Sequence, residues 1–289
     1  MPADRATATP PVPVAPVPLP VVIVAGLARD LVEAAGAVAV RARGGLALAY
    51  RVALGGPSPI LLRTTEEEGR CAGVEPLATS HDCIACAIRD DVVRTLRART
   101  AVGDHAPVTV VLPAGTDPAC LVDPLDLAFV AAVQGRGDAV GADEDLLPPV
   151  RITSVLAAVD VARLVDQVTS RDALGDTDLG HGAAGRRPLA EVVLSVLRHA
   201  DVLTVGADEA PESVVLAGRE LLAHVAPQAR IVPAGDDAQV AAALATATHD
   251  PSRTDVRHEP TWVPPTGGPR AGGRTATAVW SSRRPLHPT

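Results

Sequence analysis

Short apolar runs alternate with longer amphipathic stretches along most of the chain, from residue 19 to about residue 250. An apolar run of about four to eight residues is typical of a buried strand, and an apolar position every three or four residues is typical of a helix. The predicted strands are residues 21–25, 46–54, 108–112, 152–159, 202–205 and 230–232. The predicted helices are residues 89–99, 122–133, 189–199 and 213–224. This alternation predicts an α/β fold with a mostly parallel sheet between flanking helices.

The two ends of the chain depart from this pattern. Residues 1–19 alternate proline with alanine and valine, which prevents a continuous helix and predicts a disordered extension. The folded domain is expected at residues 20–250, followed by a linker at residues 251–274 that is rich in proline, glycine and threonine. A short strand-like run opens the last segment, residues 275–289.

The composition removes several kinds of chemistry. The 289-residue chain contains neither lysine nor asparagine, so arginine and histidine are its only basic side chains. Schiff-base catalysis, a lysine general base and the phosphate-binding lysine of a P-loop are therefore excluded. The formal net charge of −8 argues against DNA or another nucleic acid as a direct partner, because such binding depends on clustered positive charge.

The sequence also indicates where the protein works. No run of about 20 consecutive apolar residues is present, so neither a membrane span nor a membrane partner is predicted. The proline-rich start does not fit the apolar helix of a signal peptide. Four cysteines without an export signal indicate a reduced, cytoplasmic setting rather than a disulfide framework.

The most chemically specific segment is the sequence HDCIAC, which places His81, Cys83 and Cys86 just before a predicted helix. Thiolate and imidazole are donors that zinc prefers, and the CxxC spacing lets both sulfurs reach one ion. The same spacing also fits a redox pair, and a free cysteine is often simply a small buried apolar residue. This segment is the candidate metal site.

A closed zinc site needs a fourth ligand, and the sequence leaves it unassigned. Neither a second CxxC nor a following HxxxH is present. Cys71, Glu75 and His105 are candidates, of which Cys71 supplies a further thiol. The fourth position could also stay open, which suits metal exchange better than permanent structural binding.

The order of several short motifs resembles the CobW-like family of P-loop GTPases and metallochaperones. In that family an opening strand and P-loop precede a cysteine-rich segment that ends in Arg-Asp-Asp, and later strands are followed by a glycine turn, by Val-Asp and by Ala-Asp. The matching positions here are residues 21–26 and 83–91, Gly115 with Asp117 and Pro118, Val159 with Asp160, Ala200 with Asp201, and residues 284–288. The resemblance implies a P-loop NTPase-like fold with zinc at the cysteine segment. It also implies that residues 275–289 are the incomplete beginning of the family's C-terminal domain.

The nucleotide motifs of the family are altered in this chain. Gly26 is followed by Leu-Ala-Arg-Asp-Leu, which lacks the lysine that reaches the phosphates and the hydroxyl that holds Mg²⁺. Leu112 replaces the acidic residue expected three positions before Gly115, and the guanine-recognition motif near Gly206 is reduced to Asp208. Gly26, Gly115 and Asp208 are therefore the residues left from a nucleotide site. We expect a pseudo-GTPase with no catalytic residue and without GTP and Mg²⁺ as cofactors.

A narrower resemblance concerns an actinobacterial branch of the family, typified by the mycobacterial factor that recruits the ribosome hibernation protein MPY. That branch also combines an altered P-loop with a GCxSCTIRDD segment, which is similar to the DCIACAIRDD segment here. The resemblance implies a zinc-linked, non-enzymatic adaptor whose partner is a ribosome hibernation factor or the small ribosomal subunit. The alternative is a weak GTPase or a zinc metallochaperone that delivers zinc to a client protein.

Other polar residues have simpler interpretations. Asp90 and Asp91 are expected near the start of a helix, where they would complement its dipole. Residues 66–68, three consecutive glutamates, are interpreted as a solvated loop. His181 and Ser195 have no recognisable triad context, so hydrolase chemistry is not expected.

Overall fold

The computed structural model describes residues 18–53, 59–77, 83–134, 150–177, 179, 185–207 and 210–254. Its strands are β1 (Leu19–Gly26), β2 (Leu46–Ala53), β3 (Ile60–Glu67), β4 (Arg70–Leu77), β5 (Val108–Val111), β6 (Val150–Asp160), β7 (Val202–Gly206) and β8 (Arg230–Pro233). Within the described residues these strands form one sheet in the order β4-β3-β2-β5-β1-β6-β7-β8. The prediction of an α/β fold with a mostly parallel sheet is confirmed, and the six predicted strands occur close to their expected bounds.

Seven α-helices pack with this sheet in the described part of the chain. They are α1 (Arg29–Arg43), α2 (Ile84–Ala101), α3 (Ala119–Val133), α4 (Val161–Thr169), α5 (Leu189–His199), α6 (Glu212–Val225) and α7 (Asp237–Thr246). Alternate residues of the central strands pack against opposite helix layers, as strands buried on both faces require. On β1, Val22 and Val24 belong to a cluster with α1 and α7. Val21 and Ile23 belong to a cluster with α2 and α3 on the opposite face.

The antiparallel edge formed by β3 and β4 was not predicted from the sequence. The turn between them, Glu68 and Gly69, has φ angles of 52° and 75°, which is the pattern of a two-residue hairpin turn. Nearly every residue of β4 is exposed, so the strand lacks the apolar pattern that reveals a buried strand. The interpretation of residues 66–68 as a loop was wrong for Glu66 and Glu67, which end β3.

Helix α2 begins at Ile84, five residues before the predicted start at residue 89. Its buried positions Ile84, Ile88, Val92 and Leu96 recur every four residues and fix the helix on the sheet. Asp91 therefore lies well inside the helix rather than in its first turn, and it is buried. Asp90 also lies beyond the first turn, so the interpretation of Asp90 and Asp91 as carboxylates that complement the helix dipole was wrong.

A buried polar cluster fastens the end of the described chain to the sheet. The Asp201 carboxylate accepts hydrogen bonds from the Val155 amide at 2.8 Å and from His249 Nδ1 at 2.8 Å, and it also pairs with Arg253. His249 Nε2 lies 2.9 Å from the Asp126 carboxylate on α3. These contacts tie residues just beyond α7 to α3, β6 and β7.

Several other predictions fall outside the described residues. These are the extension at residues 1–17, the last segment at 275–289 and most of the linker at 251–274. The domain bounds stay a prediction. In the described residues no helix is long and apolar enough to cross a membrane.

Candidate functional site

Strands β1 and β6 are parallel neighbours in the centre of the sheet. From β1 the chain continues to β2 on one side of this pair, and from β6 it continues to β7 on the other side. The connection after β1 leads to α1 on one face, and the connection after β6 leads to α4 on the other face. Ligands of open α/β sheets bind in the crevice that such a switch point leaves at the carboxyl ends of the strands. A cavity of about 300 Å³ lies here, and its lining includes Leu27, Arg29, Asp160 and Arg163.

The junction between β1 and α1 is very short. The strand ends at Gly26 and the helix starts at Arg29, so only Leu27 and Ala28 lie between them. A P-loop cradles phosphates with the backbone N–H groups of a longer glycine-rich loop. Ala28 has an extended conformation and provides no side-chain cap for α1. The junction therefore leaves little backbone with which to surround a phosphate group.

The glycines expected at a nucleotide site are packed against the protein's own atoms. The Gly115 amide donates to the Gly26 carbonyl at 2.9 Å, so these two residues bind each other. A Cβ atom added at Gly26 would lie 2.4 Å from the Ala158 carbonyl oxygen, and one added at Gly115 would lie 2.9 Å from Leu179 Cβ. The structure thus brings Gly26 and Gly115 together, while Asp208 lies outside the described residues.

The side chains at this cavity carry charges of both signs. Arg29 and Arg163 are accompanied by the carboxylates of Asp30 and Asp160. Arg163 lies 3.4 Å from Asp160, which also accepts a hydrogen bond from the Ala162 amide at 2.9 Å and so caps α4. The family landmark Asp160 therefore has a structural role here. The cavity offers an anion no excess of positive charge.

The cysteine segment also lies at the carboxyl edge of the parallel strands, but on the face of the sheet opposite to α1. Strand β4 is antiparallel to β3, and β3 is antiparallel to β2, so β4 ends at the carboxyl edge of the parallel strands. Cys83 is the N-cap of α2, and its sulfur accepts a hydrogen bond from the Cys86 amide at 3.2 Å. The two sulfur atoms are joined as a disulfide, with the Cα atoms 5.2 Å apart. The structure thus brings Cys83 and Cys86 together at the start of a helix.

The candidate ligand Cys71 is not brought to this pair. Cys71 lies opposite Glu66, next to the β3–β4 turn, and the adjacent Glu67 contacts Arg99 near the end of α2 at 3.4 Å. Sixteen residues separate Arg99 from Cys83, which is about 24 Å along a helix. Hence Cys71 lies at the opposite end of α2 from Cys83.

The remaining candidates contribute no further ligand within the described residues. His105 follows the end of α2 and is also far from Cys83. Glu75 pairs with Arg63. His81 lies outside the described residues. Across the described ranges, no group of three or more histidine, cysteine, aspartate or glutamate residues is arranged to hold a metal ion.

Helix α2 is anchored by a polar network that the sequence did not reveal. The buried Asp91 carboxylate accepts hydrogen bonds from Tyr50 Oη at 2.7 Å and from Arg63 at 2.8 Å, and Arg94 lies 3.3 Å away. Burial and the neighbouring Asp91 carboxylate raise the pKa of Tyr50 far above its usual value, so its hydroxyl remains a donor. Because Tyr50 and Arg63 come from β2 and β3, the Asp91 landmark fixes α2 on the edge of the sheet.

Ser195 and His199 form part of a polar cluster between α3 and α5. Ser195 Oγ donates to Asp117 at 2.6 Å, and His199 Nε2 lies 3.1 Å from Asp123. His199 Nδ1 lies 2.7 Å from the Ser195 carbonyl oxygen, so this nitrogen must donate a proton to it. It therefore cannot accept the Ser195 proton, as a serine hydrolase would require. The cluster holds two helices together.

Comparison with known proteins identifies mycobacterial relatives. The chain is 30% identical over 216 residues to the zinc chaperone Rv0106 of Mycobacterium tuberculosis strain H37Rv. It has the same identity to the uncharacterized proteins MT0115 of M. tuberculosis strain CDC 1551 and Mb0109 of M. bovis. The match covers 74% of this chain and 48% of each relative, so the chain spans about half the length of the curated relatives that it matches.

The chain was also compared with protein-family models and with solved structures. No protein-family model matches the chain. Among solved structures, the Zn(II)-bound YjiA GTPase from E. coli matches 75% of this chain and 57% of its own, with a TM-score of 0.40 and 15% identity. The similarity to the mycobacterial proteins supports the CobW-like family that the order of the sequence motifs indicates.

Proposed function

We propose that this chain is a zinc-binding, non-enzymatic adaptor related to the CobW-like proteins. The observation that carries the proposal is that Cys83 and Cys86 lie together at the first turn of α2, where reduction of their disulfide would provide two thiols. Helix N-termini favour the thiolate form of cysteine, which is the form that binds metals. The similarity to a protein named as a zinc chaperone supports the same metal.

The donor set of the thiol pair fits zinc in part. Zinc–sulfur bonds are about 2.3 Å long, so two thiolates on one tetrahedral ion lie about 4 Å apart. A Cα separation of 5.2 Å allows the reduced pair to reach this spacing by side-chain rotation. Two more ligands are needed to close the site, and we propose His81 for one of them because it precedes Cys83 by two residues. Cys71 is not proposed, because it lies at the other end of α2.

As part of this proposal, the protein does not hydrolyse GTP. The two-residue junction before α1 supports this, as does the hydrogen bond between Gly115 and Gly26. A bound triphosphate with Mg²⁺ needs several inward-facing N–H groups, a cation and a metal-binding hydroxyl or carboxylate. At the switch point only Leu27 and Ala28 lie between β1 and α1, where a P-loop would need a longer glycine-rich loop.

A protein partner is part of this proposal. The relative Rv0106 is named a chaperone, and the negative charge of this chain disfavours direct contact with RNA. The sequence resemblance to the hibernation-factor branch leads us to propose a partner on the small ribosomal subunit or a ribosome hibernation factor. The second candidate function is delivery of zinc to a client protein. It is favoured by the half-buried sulfurs, which remain within reach of a client's ligands.

The test is zinc binding by the reduced full chain in competition with a chromophoric chelator. We expect one zinc per chain, with affinity lowered at least about tenfold by Cys83→Ser or Cys86→Ser, in line with the loss of a metal contact. Cys71→Ser is the matched control and should bind zinc like the original chain. If all three variants bind equally, or if the reduced chain binds no zinc, the proposal fails.

A second measurement separates the adaptor from the weak GTPase. GTP turnover is followed through purification of the original chain and of Gly26→Ala. GTP turnover that co-purifies with the chain and is lower in the variant would contradict the adaptor hypothesis and support the weak-GTPase hypothesis. We expect no turnover above the buffer blank for either protein.

A further inference from the structure

A groove runs beside α1, on the face of the sheet opposite to α2. It is a cavity of about 370 Å³ between α1 and the strands β2 and β3. Ala37 on α1 and Ala47 and Ala49 on β2 line it, and these small side chains leave the space between helix and strand unfilled. We call it the α1 groove; its other lining residues include Val40, Thr64 and Glu66.

The face of the sheet beyond this groove is not covered by a helix in the described part of the chain. Ala49 packs against the cluster that contains α1, whereas Leu48 and Tyr50 pack with α2 on the other face. Thr64 lies opposite Ala49, and Val74 lies opposite Thr64, so these three residues form a row across β2, β3 and β4. The other described helix on this face, α7, packs over β7 and β8.

The composition of the uncovered face is apolar for a surface that meets only water. An antiparallel pair of strands can have one solvated face, but its outward residues are then polar. Here Ile60, Leu62 and Val74 share this face, and Ile60 and Val74 are 48% and 54% exposed. The distance from β2 to β4 is about 10 Å, which is the diameter of one α-helix. The space therefore has the size and the character of a missing helix position.

Charged residues give the α1 groove two different ends. Arg29 begins α1 and Arg51 lies near the end of β2, so both are at the carboxyl edge of the sheet. Glu66 lies opposite Ala47 at the other end, about 14 Å from Arg51 along the strand. Both arginines are exposed and neither forms an ion pair with a described residue. Glu33, one helical turn from Arg29, adds a carboxylate between the two ends.

This polarity is complementary to a helix that lies antiparallel to α1. The C-terminus of a helix carries partial negative charge, and arginine binds carboxylates strongly, so an acidic C-terminal turn fits the arginine end. The positive N-terminus of the same helix would then lie at the Glu66 end. A helix of about nine residues spans the 14 Å between these ends.

We propose that the α1 groove is the docking site for one amphipathic α-helix of a protein partner, with the acidic C-terminal end of that helix against Arg29 and Arg51. The inference rests on the part of the proposed function that assigns a protein partner, and it is independent of zinc. Apolar side chains of the helix would cover Ala49, Leu62 and Val74.

The experiment measures binding of two labelled helical peptides to the full chain by fluorescence anisotropy. Both peptides are about 14 residues long and share one stripe of leucine and valine. The first carries glutamates in its last turn and lysines in its first turn, and the second has these charges exchanged. We expect the first peptide to bind at least about tenfold more tightly than the second.

Three exposed positions provide the variants. Arg51→Glu should reverse the preference between the two peptides, and Ala37→Trp should weaken both by filling the groove. Arg219→Glu on α6 is the matched control, because α6 packs on the other face of the sheet, and it should bind both peptides like the original chain. Thermal unfolding checks that each variant is folded. All three should keep the zinc affinity of the original chain, which separates this test from that of the zinc site.

The remaining outcomes overturn the inference. These are no binding of either peptide up to about 100 μM, equal binding of both, and binding that Ala37→Trp leaves unchanged or that Arg219→Glu weakens equally. Photo-crosslinking from p-benzoylphenylalanine placed at position 37 tests the other occupants. A crosslink to a second copy of the chain, or to residues 1–17 or 255–289 of the same chain, would assign the groove to that occupant instead.

Discussion

Helices α1 and α2 both begin at the carboxyl edge of the sheet, and their first turns are built in opposite ways. At α1 the strand passes into the helix within two residues, and the nearby glycines pack against carbonyl oxygens and leucine side chains. At α2 the first turn presents two half-buried sulfurs. The first arrangement packs the glycines of the strand end against protein atoms beside the cavity, and the second places two cysteines at a partly exposed helix start. We infer that ligand chemistry belongs to the start of α2.

The same comparison explains which family landmarks remain in the chain. Asp91, Asp160 and Asp201 each bind other parts of the protein, so their loss would cost stability whatever ligand is present. The lysine and hydroxyl of a P-loop serve mainly a bound nucleotide, and both are absent. This difference is what the proposed absence of nucleotide binding would produce.

The largest effect is expected where α2 is anchored. Asp91→Ala removes a buried carboxylate and leaves Arg63 and Tyr50 without their main partner. Breaking a buried ion pair in this way costs about 3–5 kcal/mol of unfolding free energy. Asp90→Ala is the matched control, since Asp90 is exposed and forms an ion pair with the neighbouring Arg89, and it should cost less than about 1 kcal/mol. Urea denaturation measures the unfolding free energy of both variants, and equal losses would show that Asp91 does not anchor α2.

A second prediction concerns the opposite edge of the sheet, where His249 lies between Asp126 and Asp201. Burial alone would lower the pKa of His249, but the two carboxylates outweigh it and raise the pKa to about 9. The folded-state pKa is above the unfolded value of about 6.5, so this stabilisation is complete below pH 6.5. It is then lost as the pH rises towards 9, by at most about 1.4 kcal/mol per pH unit.

The check is the unfolding free energy from urea denaturation between pH 6 and pH 9.5. The His249→Gln variant should have a lower unfolding free energy than the original chain at pH 6. Between pH 6 and pH 9.5 its unfolding free energy should fall much less than that of the original chain. An equal decline in the variant would show that another group causes it.

A smaller effect is expected at the junction before α1. Gly26→Ala places a methyl group 2.4 Å from the Ala158 carbonyl oxygen, which forces β1 and β6 apart locally. Overpacking of this kind costs about 1–3 kcal/mol. Gly44→Ala provides a control because an added Cβ there meets no atom within 4 Å, although its φ of 63° adds strain of about 1 kcal/mol. Thermal unfolding compares the two, and a Gly26 variant as stable as the original chain would contradict the close packing.

The central strands could be predicted from the sequence because they are buried on both faces and appear as continuous apolar runs. The hairpin of β3 and β4 could not, since β4 is almost fully exposed and carries no apolar alternation. The CxxC motif located Cys83 and Cys86 directly. Sequence distance gave no means of rejecting Cys71, because its separation from Cys83 depends on the direction of β4 and the length of α2.

The buried polar networks were also beyond the reach of sequence reasoning. Asp91 lies 41 residues from Tyr50, and His249 lies 48 residues from Asp201 and 123 from Asp126. Nothing local in the sequence marks such pairs, since each carboxylate reads as an ordinary polar residue of a helix or strand end. One signal was available in the family resemblance, which singled out Asp91 and Asp201 without indicating their partners.

The most direct test of the central claim is thermal unfolding of the reduced full chain with zinc, with GTP and Mg²⁺, and with neither. A ligand that binds only the folded state must raise the midpoint, by about 2.7 kcal/mol of stability at a concentration one hundred times its Kd. The account predicts a rise with zinc that Cys83→Ser abolishes, and no change with GTP and Mg²⁺. A rise with GTP and Mg²⁺, or a zinc effect that persists in Cys83→Ser, would contradict it.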